Sequence, residues 1–498
     1  MFIDARSVES GANIPTDICV IGSGAAGITV ASEMIGSGIR VCLLESGGFE
    51  FDREVQDLCL GESRGMTIVL DAERQRSFGG TTNLWGGYCR PLDEEDFQKR
   101  DWVRYSGWPF MRAELDPYYR RAHKRCHLGP FDYDIDSWAA SNGCTASIRG
   151  EGIATKFFQL VPTNSVDYRR FGEVYREEIG HAQNVSTYLY ANVVNLQLSD
   201  DQKTISHVDV TTLSQSHFTV GARIFVLATG GIENARSLLM SNSVRAAGVG
   251  NERDLVGRYF MAHLEVEAAF LVPSSTVPMN LYGGSCSLAM KGWRGATVPL
   301  VTLTPHLRRA ERLLNATAEI SPVSDDDVPS RLADDLRQIL REGERAPGRQ
   351  SAYLLVNASE TSPNPDSRVT LTSSRDRFGR NTVSVDWRLN STDLDSLTRT
   401  YEILGQQFGV ARLGRVLLDV AGKVERGKYW SQHHHIGTTR MHDDPRQGVV
   451  DATCRVHSVT NLFIGGSSVF PTSGSGTPTL SIVALAVRLA DHLKEMLK

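Results

Sequence analysis

Asp17-Ile18-Cys19-Val20-Ile21-Gly22-Ser23-Gly24-Ala25-Ala26-Gly27 runs an almost unbroken apolar stretch into a G-x-G-x-x-G sequence. Such a short, continuous apolar run is expected of a parallel strand buried on both faces. Gly22 allows a tight turn, and Gly24 allows the backbone to approach a pyrophosphate. Gly27 allows the next helix to pack on the strand, leaving the helix N-terminus at Ala25 and Ala26 to bind phosphate charge. A second apolar strand, Val41-Cys42-Leu43-Leu44, ends at Glu45 and Ser46. An acid at that position is placed to hydrogen-bond a ribose hydroxyl, and it disfavours a 2′-phosphate. The glycines alone are a weak signal; strand, turn, helix and acid together predict a dinucleotide-binding β-α-β unit.

The chain has 498 residues, more than one typical core, so two domains are expected. Hydrophobic content of 41% and charged content of 22% describe an ordinary globular protein. A net charge of −5 gives no electrostatic reason to expect nucleic acid or an anionic membrane as partner. No apolar run approaches the roughly 18 residues needed to span a bilayer. Met1 to Thr16 is polar and shows no export signal. The eight cysteines form no C-x-x-C pair, which fits a reduced, cytoplasmic setting better than a disulfide framework.

Further along, a helix is expected from Arg112 to His127, and strands at Val208–Leu213 and Thr219–Ala228. The second of these ends at Gly230-Gly231 and opens a helix through Met240. Strands follow at Glu265–Val272, Ala352–Ser359, Arg368–Thr372 and Thr382–Leu389, then a helix over Asn390–Gly405. The charged segment Ser321–Arg349 reads as a surface helix with loops. The pattern predicts an α/β fold, α+β overall. A Rossmann-like domain formed by 1–90, 181–265 and 425–498 is interrupted by a sheet-based substrate domain, 91–180 and 266–424.

Near the other end stand His433-His434-His435-Ile436-Gly437-Thr438 and Asn461-Leu462-Phe463-Ile464-Gly465-Gly466, followed by an amphipathic last helix. These stretches, with Glu45-Ser46-Gly47-Gly48, Phe78-Gly79-Gly80-Thr81-Thr82-Asn83-Leu84-Trp85-Gly86-Gly87 and Ala228-Thr229-Gly230-Gly231-Ile232-Glu233-Asn234-Ala235-Arg236, resemble the glucose–methanol–choline (GMC) oxidoreductase family. The likeness is strongest to its pyranose-oxidase and bacterial sugar or aminoglycoside alcohol oxidase branch. The motifs occur in family order; only about 265–425 is unspecific.

The resemblance implies FAD as cofactor and oxidation of an alcohol on a polar small molecule, with a sugar, glycoside or aminoglycoside-like compound preferred. The family's catalytic histidine lies four residues before the Thr of its G-T step, which is His434 here. A base of pKa about 6.5 suits removal of the hydroxyl proton. Along an extended segment His433 and His435 should point the opposite way. Three adjacent histidines also raise a metal site, but no Cys or carboxylate stands at ligand spacing around them, so none is expected.

By position, Gly79, Gly80, Thr81 and Thr82 should bring amides near the isoalloxazine, Gly465 and Gly466 should approach the pyrophosphate, and Val193 should pack on adenine. Glu233, Asn234 and Arg236 read as structural. Two departures stand out. Thr477 replaces the His or Asn that assists the base in many members; it is assigned to positioning the substrate oxygen. Leu84 stands where covalently flavinylated members carry the linking His, so FAD is expected to be non-covalent. The electron acceptor, O2 or another, stays open. So do two alternatives: a tailoring enzyme performing a desaturation, a four-electron oxidation or a redox-neutral step, and a flavin-binding protein without turnover.

Overall fold

Strands that are apolar on both faces need cover on both sides, and the parallel strands of this chain find it in the middle of one sheet. The computed structural model describes residues 1–143, 148, 150–162, 167–267, 269–274, 282, 286–290, 292–322 and 352–498. Its first sheet has eight strands: β1 (Phe2–Asp4), β2 (Asn13–Ile21), β3 (Val41–Leu44), β7 (Val185–Leu189), β8 (Asn192–Leu198), β9 (Ile205–Thr211), β10 (His217–Leu227) and β19 (Leu462–Ile464). The order is β1-β7-β3-β2-β10-β9-β8, with β19 also paired to β10. Strands β1, β7, β3, β2, β10 and β19 are mutually parallel, whereas β9 pairs antiparallel with β10 and β8 pairs antiparallel with β9.

The second sheet is antiparallel throughout. It comprises β5 (Tyr88–Cys89), β6 (Ile153–Leu160), β11 (Ala269–Pro273), β12 (Cys286–Met290), β13 (Trp293–Leu303), β14 (Ala316–Pro322), β15 (Tyr353–Ser359) and β18 (Gly414–Leu418). A small third sheet joins β4 (Gly61–Gly65), β16 (Arg368–Arg375) and β17 (Asn381–Trp387). The fold is mixed α/β, as the sequence predicts.

Five helices frame the sheets: α1 (Ala25–Glu33), α2 (Arg112–Arg125), α3 (Glu233–Met240), α4 (Ser391–Val410) and α5 (Thr479–Leu497). The buried row of α5, including Leu480, Val483, Ala484 and Val487, lies on the side that packs against α1 and α2. Tyr119 on α2 hydrogen-bonds Ser481 on α5 at 2.7 Å, and Arg121 ties Glu33 of α1 to Asp491 of α5. Asn390 caps α4 by accepting from the Asp393 amide, with the Asp393 carboxylate returning to the Asn390 amide.

Most expected elements lie within a few residues of their places. The strand expected from Glu265 begins only at Ala269, because residues 261–265 cross between sheets and make single bridges, Met261 to Ile436 and Glu265 to Trp430. Helix α4 continues past the expected end at Gly405 to Val410, burying Phe408. Of Ser321–Arg349, Ser321 and Pro322 end β14, and 323–349 lie outside the described residues. Among the described residues, no helix is long and apolar enough to cross a membrane.

The junction of β2 and α1 tolerates no side chain at two glycines. A Cβ at Gly27 would lie 1.8 Å from the Gly22 carbonyl oxygen, and one at Gly22, where φ is +98°, would lie 2.6 Å from that of Ala228. Gly27→Ala must therefore push α1 off β2. It is expected to lower stability by about 1–3 kcal/mol, read as a fall in the midpoint of chemical denaturation. An unchanged midpoint would mean that the helix shifts without cost.

Candidate functional site

The carboxyl ends of the parallel strands open onto a cavity of about 620 Å³. Its first wall is the glycine turn. Gly24 caps α1 with no side-chain hydrogen bond, so the first-turn amides carry the helix's positive end with no protein side chain capping them. At Gly24, Gly230 and Gly466 a Cβ would meet no protein atom within 4 Å, whereas one at Gly80 would lie 2.9 Å from the Gly24 Cα. Three of these glycines thus border open space where a large group can lie against bare backbone. Ala25, Ala26, Ser46, Gly80, Thr81, Thr82 and Val193 also line the cavity. Gly27, Gly79 and Gly465 stand behind it: a Cβ on Gly79 would meet the Gly172 amide at 2.6 Å, and one on Gly465 would touch Ala26 at 3.4 Å.

Glu45 is buried at this turn. Its carboxylate accepts from the Ser23 amide at 3.0 Å, the Ser23 hydroxyl at 2.6 Å and the Gly47 amide at 2.9 Å. Burial pushes its pKa up, against the pull of those hydrogen bonds and of Arg76. Oε1, which accepts only the Gly47 amide, keeps acceptor capacity for a ligand hydroxyl. Beside it, Glu233 pairs with Arg74 at 2.7 Å and Arg76 at 2.9 Å, and Arg236 with Asp376 at 2.6 Å. Asn234 holds the Thr229 amide and the Gly465 carbonyl together. Arg380 donates to the Val193 carbonyl, while its Nε has no partner. This end of the cavity is rich in guanidinium groups.

The other end is built around His434. The chain does not run extended here: Gln432 and His433 adopt φ of +51° and +58°, and the His434 amide returns to the Ser431 carbonyl. The expected alternation of the three histidines is therefore replaced by a tight turn, which leaves His433 exposed and His435 buried. The turn is fixed by Glu73, whose Oε2 accepts from the Ser431 hydroxyl at 2.6 Å and lies 3.1 Å from His435 Nε2. Ionised, it accepts from both. Glu73 Oε1 accepts from the Val69 amide.

His434 Nδ1 lies 2.7 Å from Nδ1 of His263, with the rings edge to face at 88°. The proton assignment follows from the next link. His263 Nε2 lies 2.9 Å from the Gly474 carbonyl and 3.3 Å from that of Ser473, and a carbonyl only accepts, so this nitrogen carries hydrogen. Burial holds both rings below the usual histidine pKa, His434 well below it, the neighbouring histidines adding to the effect there. A neutral His263 then has a bare Nδ1 that accepts from His434 Nδ1–H. His434 is left with an unprotonated Nε2, for which the described residues provide no partner.

Thr477 lines the cavity, but its hydroxyl donates to the Tyr88 carbonyl at 2.5 Å. Leu84 is 47% exposed and also lines the cavity. Trp85 and Tyr88 are in its wall, whereas Trp293 packs edge-on against Trp138 away from it. His263 and Glu73 carry no sequence motif and escape a reading of the chain; His263 is 171 residues from the side chain it orients. Glu73→Ala removes the acceptor of two donors at this turn, Ser431 and His435, and of the Val69 amide. It is expected to cost about 1–3 kcal/mol in denaturant, and no loss would mean that water replaces the carboxylate fully.

Residues 363–486 match the family described as GMC oxidoreductase. Over nearly the whole chain, similarity extends to paromamine 6'-oxidase of Streptomyces fradiae, 25% identical over 95% of this chain and 90% of that protein. The 6'''-hydroxyparomomycin C oxidase of Streptomyces lividus is also 25% identical, over 96% and 92%. Among solved structures, pyridoxine 4-oxidase from Mesorbium loti superimposes with a TM-score of 0.58 at 18% identity, covering 96% of this chain and 99% of its own. Formate oxidase gives 0.59 at 16%, covering 98% and 99%. These two likenesses speak for the fold.

Proposed function

We propose that the chain is a GMC oxidoreductase, the family its residues 363–486 match, and that it oxidises an alcohol carbon of a polar small molecule, with FAD in the cavity and His434 as the base. The observation that carries this reading is the chain from His434 Nδ1 through His263 to the Gly474 carbonyl, which leaves His434 Nε2 free to accept a proton in the same cavity as the glycine wall. The sugar and aminoglycoside alcohols remain the preferred substrates, a preference that rests on the relatives' names. We assign 1–90, 181–265 and 425–498 to the cofactor and 91–180 with 266–424 to the substrate.

The fit to FAD is supported by bare backbone at Gly24, Gly230 and Gly466, by the uncapped start of α1, and by Glu45 within reach of a ribose. Val193 lines the end assigned to adenine, and Thr81 and Thr82 the side assigned to the ring system. When bound, the flavin supplies the hydride acceptor. Leu84 offers only hydrocarbon where a linking histidine would stand, so the cofactor is held without a covalent bond there. Acid precipitation is expected to release all flavin to the supernatant; yellow colour retained in the pellet would refute this.

His434 takes the substrate hydroxyl proton at Nε2 while the hydride leaves carbon. The resulting imidazolium keeps its Nδ1–H on His263, whose own Nε2–H is anchored at Gly474. His263 is thus a positioning residue. It fixes the tautomer in which the proton-accepting nitrogen faces away from the pair. Thr477 has committed its hydrogen to Tyr88, so toward a substrate it acts as an acceptor. We assign it a neighbouring hydroxyl, because the reacting hydroxyl's single proton goes to His434.

Anaerobic mixing with a panel of sugars, aminoglycosides and simple alcohols is expected to bleach the flavin. Recovery on admitting air would name oxygen as acceptor, and bleaching that persists would name another; no bleaching by any alcohol would sink the reading. His434→Ala is expected to slow bleaching by ~10²–10⁴-fold with flavin retained. His263→Phe should also slow it, and His263→Gln, which can still accept from Nδ1–H, should recover part of the rate. His434 is active when neutral. The rate is therefore lost as pH falls through its folded pKa, and burial places that acid limb below about pH 6.5. An acid limb above that value would give the role to another group.

A further inference from the structure

A hairpin from the third sheet reaches the glycine end of the cavity. Strands β16 and β17 pair antiparallel, and their tip runs Asp376-Arg377-Phe378-Gly379-Arg380. Asp376 Oδ1 accepts from the Phe378 amide at 2.8 Å and the Arg380 amide at 3.0 Å, while Gly379 takes a φ of +70°. The tip is fastened from two sides. Arg236 of α3 donates to Asp376 Oδ2 at 2.6 Å and to the Asn381 carbonyl at 3.0 Å. Arg380 donates to the Val193 carbonyl of β8 at 2.9 Å, where the register of that strand with β9 shifts between Val193 and Asn195.

Three side chains at this junction line the cavity, and the protein leaves part of each unsatisfied. The Phe378 ring is half-buried, yet among the described residues it packs on none of the hydrophobic cores. Arg380 Nε is buried with no hydrogen-bond partner, and among the described residues no carboxylate pairs with this guanidinium. Burial lowers its pKa to about 10, and the neighbouring Arg236 adds to the effect. Asn192, only 5% exposed, directly precedes Val193. Its Nδ2 donates to the Tyr190 carbonyl at 3.4 Å, which leaves Oδ1 as a buried acceptor without a donor.

These groups are brought together by chain adjacency and by one bond. Asn192 neighbours Val193, whose carbonyl holds Arg380, and Arg380 follows Phe378 by two residues. Buried polar atoms left unpaired are costly, so a ligand that pairs them gains what the protein has forgone. A phosphate would satisfy the guanidinium, but it is repelled by the Asn192 oxygen and gains nothing from the ring. An aminopurine meets all three: its face stacks on an aromatic ring, its exocyclic amine donates, and its ring nitrogens accept. The ribose position agrees. The Ala191 amide donates to the Glu45 carbonyl at 2.8 Å, so the acid assigned to the ribose stands directly before Asn192 and Val193 in space.

We propose that the β16–β17 hairpin completes the cofactor site, with the adenine of FAD between Phe378 and Val193, its amine on Asn192 Oδ1 and a ring nitrogen on Arg380 Nε. This rests on the FAD reading, and it takes the hairpin out of the stretch assigned to the substrate. Retention of the cofactor then depends on a turn held by Arg236 and Asp376, at the opposite end of the cavity from His434.

Flavin release from the holoenzyme, followed by fluorescence after dilution, tests this. Phe378→Ala is expected to speed the release of FAD at least about tenfold. Phe378→Tyr keeps the ring face and should release FAD at close to the original rate. The unaltered protein is also stripped and reloaded with the FAD analogue in which hypoxanthine replaces adenine. The analogue sets an oxygen against Asn192 Oδ1 where FAD sets an amine, and should leave about tenfold faster than FAD. Unchanged release from Phe378→Ala would overturn the inference, as would equal acceleration in the Ala and Tyr variants, which would mark a structural role. Equal rates for the two dinucleotides would overturn it as well. A protein that purifies without FAD and takes none up would remove the cofactor reading along with it; FAD retained with unchanged rates would remove the hairpin alone.

Discussion

One strand holds the molecule's two ends in register. β10 carries β2 along one edge, and shares its other edge between β9 near its start and β19 near its finish. Phe225, Val226 and Leu227 pair at once with Cys19, Val20 and Ile21 and with Leu462, Phe463 and Ile464. Because these strands are parallel, their carboxyl ends coincide. The turns at Gly22, Ala228–Gly231 and Gly465-Gly466 then open at one place. In open α/β sheets, such carboxyl ends are where ligands bind. Contact between turns is close enough that Gly22 packs on the Ala228 carbonyl and Gly231 on that of His435. The histidine turn is thereby set directly on the nucleotide-binding sheet.

The polar groups brought into this junction are expensive, and most are satisfied in chains. Glu73 serves Ser431, His435 and the Val69 amide; Asn234 serves Thr229, Gly465 and Ser468; His263 links His434 to Gly474. Such chains dictate where each proton sits, because a backbone carbonyl at one end admits a single direction of donation. Specificity of protonation, rather than an unusual side chain, is what distinguishes His434 from the histidines on either side.

The glycine turn, Glu45 and the paired strands were legible in the sequence because each is a local pattern with one structural meaning. The histidine turn was only half legible. His434 could be picked out by resemblance, but the left-handed backbone at Gln432 and His433 is imposed by Glu73 and by the bridge to Met261, neither of which is near in sequence. His263 was invisible for a related reason. A histidine between short strands looks ordinary until the crossing segment is seen to bring it beside His434. Thr477 stands out in the sequence as a departure, yet its hydrogen bond to Tyr88 depends on the second sheet arriving beside it.

The shared edge of β10 also governs the order in which the chain is completed. Until Leu462–Ile464 has been synthesised, Phe225–Leu227 presents an open edge flanked by the finished ladder to β2. Exposed edges of that kind invite pairing with other strands. Pairs so distant in sequence also raise contact order and slow folding. A nascent chain can build the glycine turn early, but not the site around it. Cofactor capture thus waits until Leu462–Ile464 has joined the sheet, and the long interval before that pairing is when the open edge most needs protection from misassociation.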